Sequence, residues 1–257
     1  MATVRDTTYD LLRDLGMTTV FGNPGSTEEP FLQRFPSDFT YVLALQEASA
    51  VAMAGGYAQV TGKPAHVNLH TTPGVGNAMG NLATAWHNRA PLVVSSGQQH
   101  RDMLRLEPLL TNRYAQLLPM PYVKWSYEPA RAQDVPGAFL QAYARAVQPP
   151  AGPVFVSVPM DDWEQPADGA PARRRVSTRV APEPERLREF ADALTGARNP
   201  ALVFGGGVDR SGGWDSAVAR GEAARAGVVA AVVGADELPG GPPAVPGDAA
   251  TGDRAAR

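Results

Sequence analysis

Short apolar runs separated by helix-length stretches are the feature that most limits what this chain can fold into. Thr18–Phe21, Thr40–Leu45, Ala65–Leu69, Pro91–Ser95 and Pro153–Val158 each have the length and content of a buried strand. Between them, Tyr9, Leu11, Leu12 and Leu15 recur at helical spacing, with Gly16 placed to stop the turn. Ala48–Val60, Gly76–His87 and Pro136–Val147 are likewise expected to be helices. Strands separated by helices pair through crossovers, which makes them parallel. The expected fold class is α/β: a doubly wound, mostly parallel sheet with helices on both faces, followed by an incomplete second α/β domain. In such a sheet ligands sit beyond the carboxyl ends of the strands.

Composition narrows the partners. The formal net charge is −3 and no block of like charges occurs, so nothing favours a nucleic acid or an anionic membrane surface. No apolar run approaches the roughly 18–20 residues of a membrane span. Met1 leads directly into the polar stretch Ala2–Asp6, without the apolar run of a signal peptide. Cysteine is absent, which removes disulfides, thiolate zinc sites and cysteine nucleophiles together. The expected location is cytoplasmic.

Composition also divides the chain. Residues 1–165 are expected to form the first domain and 166–184 a linker containing Arg173–Arg175. Residues 185–233 form a partial second unit, with helix Glu185–Leu194, strand Ala201–Phe204 and a next strand at Val228–Val233. Residues 234–257 are mostly Ala, Gly, Pro and Asp, and such a segment buries too little to offset its ordering entropy. A disordered tail is expected there, and its composition suggests a truncated or frame-shifted product.

Three constellations can carry chemistry. The turn Gly22-Asn23-Pro24-Gly25-Ser26-Thr27-Glu28-Glu29 follows a strand. Ser26 and Glu29 have the spacing of a capping box, a purely structural role. The same loop can also point a hydroxyl and backbone N–H groups into the crevice. Glu47 lies between a strand and a helix of small residues. It is either a carboxylate placed to suit the helix dipole or a carboxyl whose pKa apolar surroundings raise. His70 ends a buried strand ahead of the Gly-rich stretch Thr71–Gly76, where an imidazole can serve structure or proton transfer. Gly74-Val75-Gly76-Asn77-Ala78-Met79-Gly80 is not a dinucleotide fingerprint, because its third glycine comes one position late.

Taken together, Phe21-Gly22-Asn23-Pro24-Gly25-Ser26, Ala44-Leu45-Gln46-Glu47, Gly55-Gly56-Tyr57-Ala58 and Gly74-Val75-Gly76-Asn77 resemble the pyrimidine-binding domain of thiamine-diphosphate-dependent enzymes. Within that family the closest resemblance is to the benzoylformate decarboxylase type, through Leu69-His70, Gly97-Gln98-Gln99, Leu109–Asn112, Val123–Pro129 and Val156–Trp163. The resemblance implies non-oxidative decarboxylation of an aryl 2-keto acid. Other decarboxylases of the family, an acetolactate-synthase-like carboligase and a non-catalytic remnant remain alternatives. It further implies that Glu47 hydrogen-bonds N1′ of the cofactor's aminopyrimidine and favours the tautomer that removes the thiazolium C2 proton. His70 would transfer protons at the substrate oxygen, Ser26 would bind the substrate carboxylate, and Pro24, Gly25, Gly74 and Asn77 would shape the pyrimidine pocket.

In that family Mg2+ and the diphosphate are held by a further domain with a Gly-Asp-Gly motif, which this sequence does not contain. The resemblance therefore implies that the metal ligands lie outside this chain and that the fragment does not turn over substrate alone. Its expected partners are a small 2-keto acid and either a homo-oligomer or a chain carrying the diphosphate-binding domain.

Overall fold

The computed structural model describes residues 1–172 and 180–230. Thr3 opens the first helix, α1 (Val4–Asp14), with a reciprocal capping box to Asp6. Gly16, at φ +72°, then turns the chain into β1 (Thr19–Asn23). The order continues α2 (Glu29–Leu32), β2 (Thr40–Leu43), α3 (Glu47–Thr61), β3 (Ala65–Leu69), α4 (Thr71–His87), β4 (Leu92–Gln98), β5 (Ser126–Tyr127), α5 (Val135–Val147) and β6 (Val154–Pro159). The six strands form one sheet in the order β2-β1-β3-β4-β6-β5, and every pairing is parallel.

Side chains alternate across this sheet, so two cores form. On one face Val20, Val93, Val154, Val156 and Val158 meet Leu11 and Leu12 of α1 and Phe139 and Ala142 of α5. On the other, Phe21, Val67, Leu69, Val94 and Phe155 meet Ala50 and Ala54 of α3 and Ala78 and Leu82 of α4. The first face is closed by a ring cluster, with Phe31 centred 4.9 Å from Tyr9 and 4.8 Å from Trp163. Fully buried Arg5 donates to the Pro30 carbonyl at 2.9 Å and pairs with Glu164, which ties α1 to both neighbours. His66 of β3 sits in this apolar layer, edge-on to Phe31 and Phe139, and burial pushes its pKa down to about 3.

Two sequence expectations change, and one element is new. The helix expected at Gly76–His87 begins five residues earlier, at Thr71. Pro73 lies in its first turn, where a missing N–H breaks no helical bond, so the run reads as a turn in sequence and as helix in space. The strand expected to reach Leu45 stops at Leu43, and Gln46 already caps α3 by accepting from the Ser49 N–H. β5, two residues long and stacked through Trp125 and Tyr127, is too short to show in periodicity.

A second unit, within Arg179–Arg257, contains α6 (Pro184–Gly196), β7 (Ala201–Phe204), α7 (Gly207–Arg210), α8 (Trp214–Ala224) and β8 (Gly227–Ala230). β7 and β8 form a two-stranded parallel sheet, Leu202 opposite Val228. Arg173–Arg175, the strand positions beyond Ala230 and the 234–257 tail lie outside the described residues.

Phe139 is wholly buried between the sheet and α5. Phe139→Ala is expected to cost about 3–5 kcal/mol. In urea unfolding the midpoint should fall while the slope stays unchanged.

Candidate functional site

The strand order sets the position of the site. The chain runs from β1 to β2 on one side, then crosses back to β3 on the other, so β1 and β3 are neighbours whose connections leave in opposite directions. A crevice opens at the carboxyl ends of such a pair. Asn23 is the last residue of β1 and His70 follows the last residue of β3, with Asn23 in register with Leu69.

Glu47, the first residue of α3, reaches this crevice and is 7% exposed. Asn23 Nδ2 donates to its Oε1 at 3.1 Å, and Asn77 Nδ2 of α4 donates to its Oε2 at 3.0 Å. Gly74 lies so close that a Cβ there would stand 3.2 Å from Glu47 Cγ. Burial pushes the Glu47 carboxyl up. Hydrogen bonds from Asn77, its own backbone and Asn23, with the nearby charge of His70, outweigh burial and hold it below the ordinary glutamate value. The raised pKa suggested by apolar surroundings is thus corrected, because two amides and a helix start favour the ionised form.

The second half of the crevice centres on a residue the sequence left without a role. Glu28 is 1% exposed, and its carboxylate is met by three backbone N–H groups, a hydroxyl and the His70 ring. Its Oε2 accepts from Gly25 N at 2.9 Å and lies 2.7 Å from His70 Nδ1. Its Oε1 accepts from Thr27 Oγ1 at 2.8 Å, Gly97 N at 2.6 Å and Thr71 N at 3.4 Å. The hydrogen bond that His70 donates to Glu28 raises His70 above the ordinary histidine value, opposed by partial burial and aided by the charges of Glu28 and Glu47. A Cβ on Gly97 would fall 2.4 Å from Glu28 Oε1, and one on Gly25 would fall 2.3 Å from His70 Nδ1.

The geometry overturns the capping role of Ser26. The short helix starts at Glu29, and its preceding residue is Glu28, with no side-chain cap. The turn instead closes on itself: Glu28 N donates to the Gly25 carbonyl while the Glu28 carboxylate accepts from Gly25 N. Ser26 is left exposed in that turn beside half-buried Pro24 and Gly25. Among the described residues no hydrogen bond links Ser26 to Glu47 or His70. Glu28 has one sequence signal, its three-residue spacing from fully buried Phe31, which puts both on the inward side of one turn.

A third network extends the crevice along β4 and β6. Gln98 accepts from Asn112 N at 2.8 Å and donates to Glu128 at 3.1 Å, and Ser157 Oγ donates to the same carboxylate at 2.7 Å. This fastens the loop that carries Leu109 and Leu110 to the carboxyl edge of the sheet.

The chain resembles known proteins in both sequence and fold. Residues 2–117 match the model of the thiamine pyrophosphate enzyme, N-terminal TPP binding domain. A benzoylformate decarboxylase from Pseudomonas aeruginosa is 51% identical over 212 residues, covering 81% of this chain and 40% of that protein. The structure of benzoylformate decarboxylase from Polynucleobacter necessarius superposes with a TM-score of 0.88 at 56% identity, covering 90% of this chain and 44% of that one. That of a thiamine diphosphate-dependent 4-hydroxybenzoylformate decarboxylase from Rhodococcus jostii gives 0.85 at 45% identity, with 90% and 44% coverage. The chain thus spans less than half the length of these relatives.

Glu47 yields a pH-dependent prediction. Its folded pKa lies below the ordinary 4.5, so its contribution to stability is present above that value and is lost as pH falls through the folded pKa. Asn77→Ala removes a donor to the ionised form, and the loss should move to higher pH. Carbon-13 NMR titration of the Glu47 carboxyl checks this, and an unchanged or lower midpoint would contradict the account.

Proposed function

Because the chain belongs to the thiamine pyrophosphate enzyme family, we propose that it forms the pyrimidine-binding part of a decarboxylase of aryl 2-keto acids, with benzoylformate as substrate. The observation that carries this reading is Glu47, a buried carboxylate gripped by Asn23 and Asn77 at the β1–β3 switch point. The donor set fits thiamine diphosphate. Glu47 is an acceptor placed for a protonated ring nitrogen, and Gly74 keeps the wall beside it free of a side chain.

When bound, the cofactor supplies the electron sink that lets a 2-keto acid lose carbon dioxide. The residues of this chain do the rest on its side of the crevice. Glu47 accepts a hydrogen bond from N1′ of the aminopyrimidine and holds that nitrogen protonated. Pro24, Gly25, Gly74 and Asn77 shape the pocket around the ring. Ser26, exposed at the rim, binds the substrate carboxylate, and His70 moves a proton at the substrate oxygen. Mg2+ and the diphosphate are held outside this chain. Among the described residues no group of three or more His, Asp or Glu side chains is arranged to hold a metal ion.

A complete site therefore takes a second polypeptide region, either a chain carrying the diphosphate-binding domain or the remainder of a longer protein in a homo-oligomer. The apolar side chains Met53, Val60 and Trp86, exposed on α3 and α4, suit such an assembly. No described helix is long and apolar enough to cross a membrane.

Calorimetry with thiamine diphosphate and Mg2+, followed by an assay of benzaldehyde release from benzoylformate, tests the reading. The chain alone should give no turnover, and the form completed by a diphosphate-binding domain should release benzaldehyde. In the completed form Glu47→Gln should keep the fold and lose about 10²–10⁴-fold in turnover, the usual scale for a lost proton-transfer group. Near-normal turnover in Glu47→Gln would show that N1′ does not depend on the Glu47 carboxylate.

A further inference from the structure

Two acceptors face one nitrogen of His70. Glu28 Oε2 lies 2.7 Å from Nδ1 and Thr27 Oγ1 lies 3.2 Å from it. A carboxylate only accepts. The Thr27 hydroxyl has a single hydrogen, and its 2.8 Å bond to Glu28 Oε1 uses that hydrogen. The Thr27 oxygen therefore turns a lone pair toward His70. With no donor facing Nδ1, only a ring that carries hydrogen on Nδ1 satisfies the contact. Nε2 has no hydrogen-bond partner among the described residues.

The surroundings fix Glu28 in turn. Gly25, Gly97 and Thr71 all aim backbone N–H groups at its carboxylate, from three separate segments. Thr71 does so at φ +34°, a left-handed value that a β-branched residue rarely adopts. A glutamine at position 28 would put an NH2 group against at least one of these donors. The ring is equally confined, because Gly25 packs where a Cβ would overlap Nδ1.

We propose that Glu28 is a positioning residue for His70: with Thr27 it pins hydrogen on Nδ1, so that the proton His70 gains and delivers is always the one on Nε2. This rests on the proton-transfer role proposed for His70 and adds the direction of that transfer. The imidazolium gives up the Nε2 hydrogen to the substrate oxygen and becomes the neutral Nδ1–H ring, and it regains a proton at Nε2 afterwards. The Nδ1 hydrogen never leaves Glu28. The titratable groups that bear on this ring are Glu28 itself, Glu47 at the start of α3 and, through Glu28, Tyr41 of β2.

Long-range proton–nitrogen NMR of the nitrogen-15-labelled chain reads both ring nitrogens as pH is varied. Single substitutions of the other histidines, His66, His87 and His100, assign the signals. The expected result is an Nδ1 that stays protonated throughout while Nε2 alone titrates. In Glu28→Gln the His70 titration should shift to lower pH and the neutral ring should take up the Nε2–H form. A neutral wild-type ring with hydrogen on Nε2, or a titration unmoved in Glu28→Gln, would overturn the proposal. If Glu28→Gln does not fold, the wild-type tautomer decides alone. A chain that passes this test but yields no benzaldehyde when completed loses only the decarboxylase reading. A completed enzyme that decarboxylates with an Nε2–H neutral ring loses only the positioning role of Glu28.

Discussion

The site depends on one constraint of chain tracing: β1 and β3 are adjacent parallel strands whose connections depart to opposite sides. The end of each strand is then uncovered by the crossover of the other, and backbone and side chains at both ends face a common gap. Asn23 and His70 occupy those ends as a result of topology. Glu47 reaches the gap because α3 begins directly after β2 and packs on β1 and β3. The two carboxylates at the gap are thereby brought together from different crossovers, Glu28 from the β1–β2 connection and Glu47 from the β2–β3 connection.

The fold was legible where periodicity was strong. Ala65–Leu69 and Ala201–Phe204 form strands with the bounds the sequence suggested, because both are short, carry apolar residues and are flanked by turn formers. The start of α4 was not legible, since Thr-Thr-Pro-Gly resembles a turn until a helix N-terminus is seen to require no N–H from Pro73. For the site, the string from Phe21 to Ser26 drew attention to the correct loop but to the wrong structural job for Ser26. The turn around Ser26 closes on the Glu28 side chain, which is also held by Thr71 and Gly97, 43 and 69 residues away from it. No local pattern carries that information.

Two glutamates are buried at the crevice, and Glu47 shows why burial alone is a poor guide to charge, since its apolar surroundings alone would push toward the neutral acid. Its hydrogen-bond partners are side-chain amides, each of which donates, and the balance tips to the ionised form. Around Glu28 the donors come mainly from backbone, from three segments that meet only in the folded chain. A carboxylate satisfied by backbone cannot be accommodated by a change of rotamer nearby. The glycines at 25 and 97 follow from that, because backbone can approach a carboxylate or an imidazole this closely only without a Cβ.

β3 and the residue after it carry two histidines whose environments act in opposite senses. His70, beyond the strand's end, is stabilised as a cation, while His66, in the middle, is held as a neutral base in an apolar layer. The unfolded chain binds a proton at His66 below about pH 6.5, whereas the folded chain does not until near pH 3. Acid therefore draws the chain toward unfolding through the core of this strand. The segment that ends at the crevice is also the one through which protons can dismantle the sheet. Four residues, two repeats of the pleat, separate a base stabilised with its proton from a base held without one.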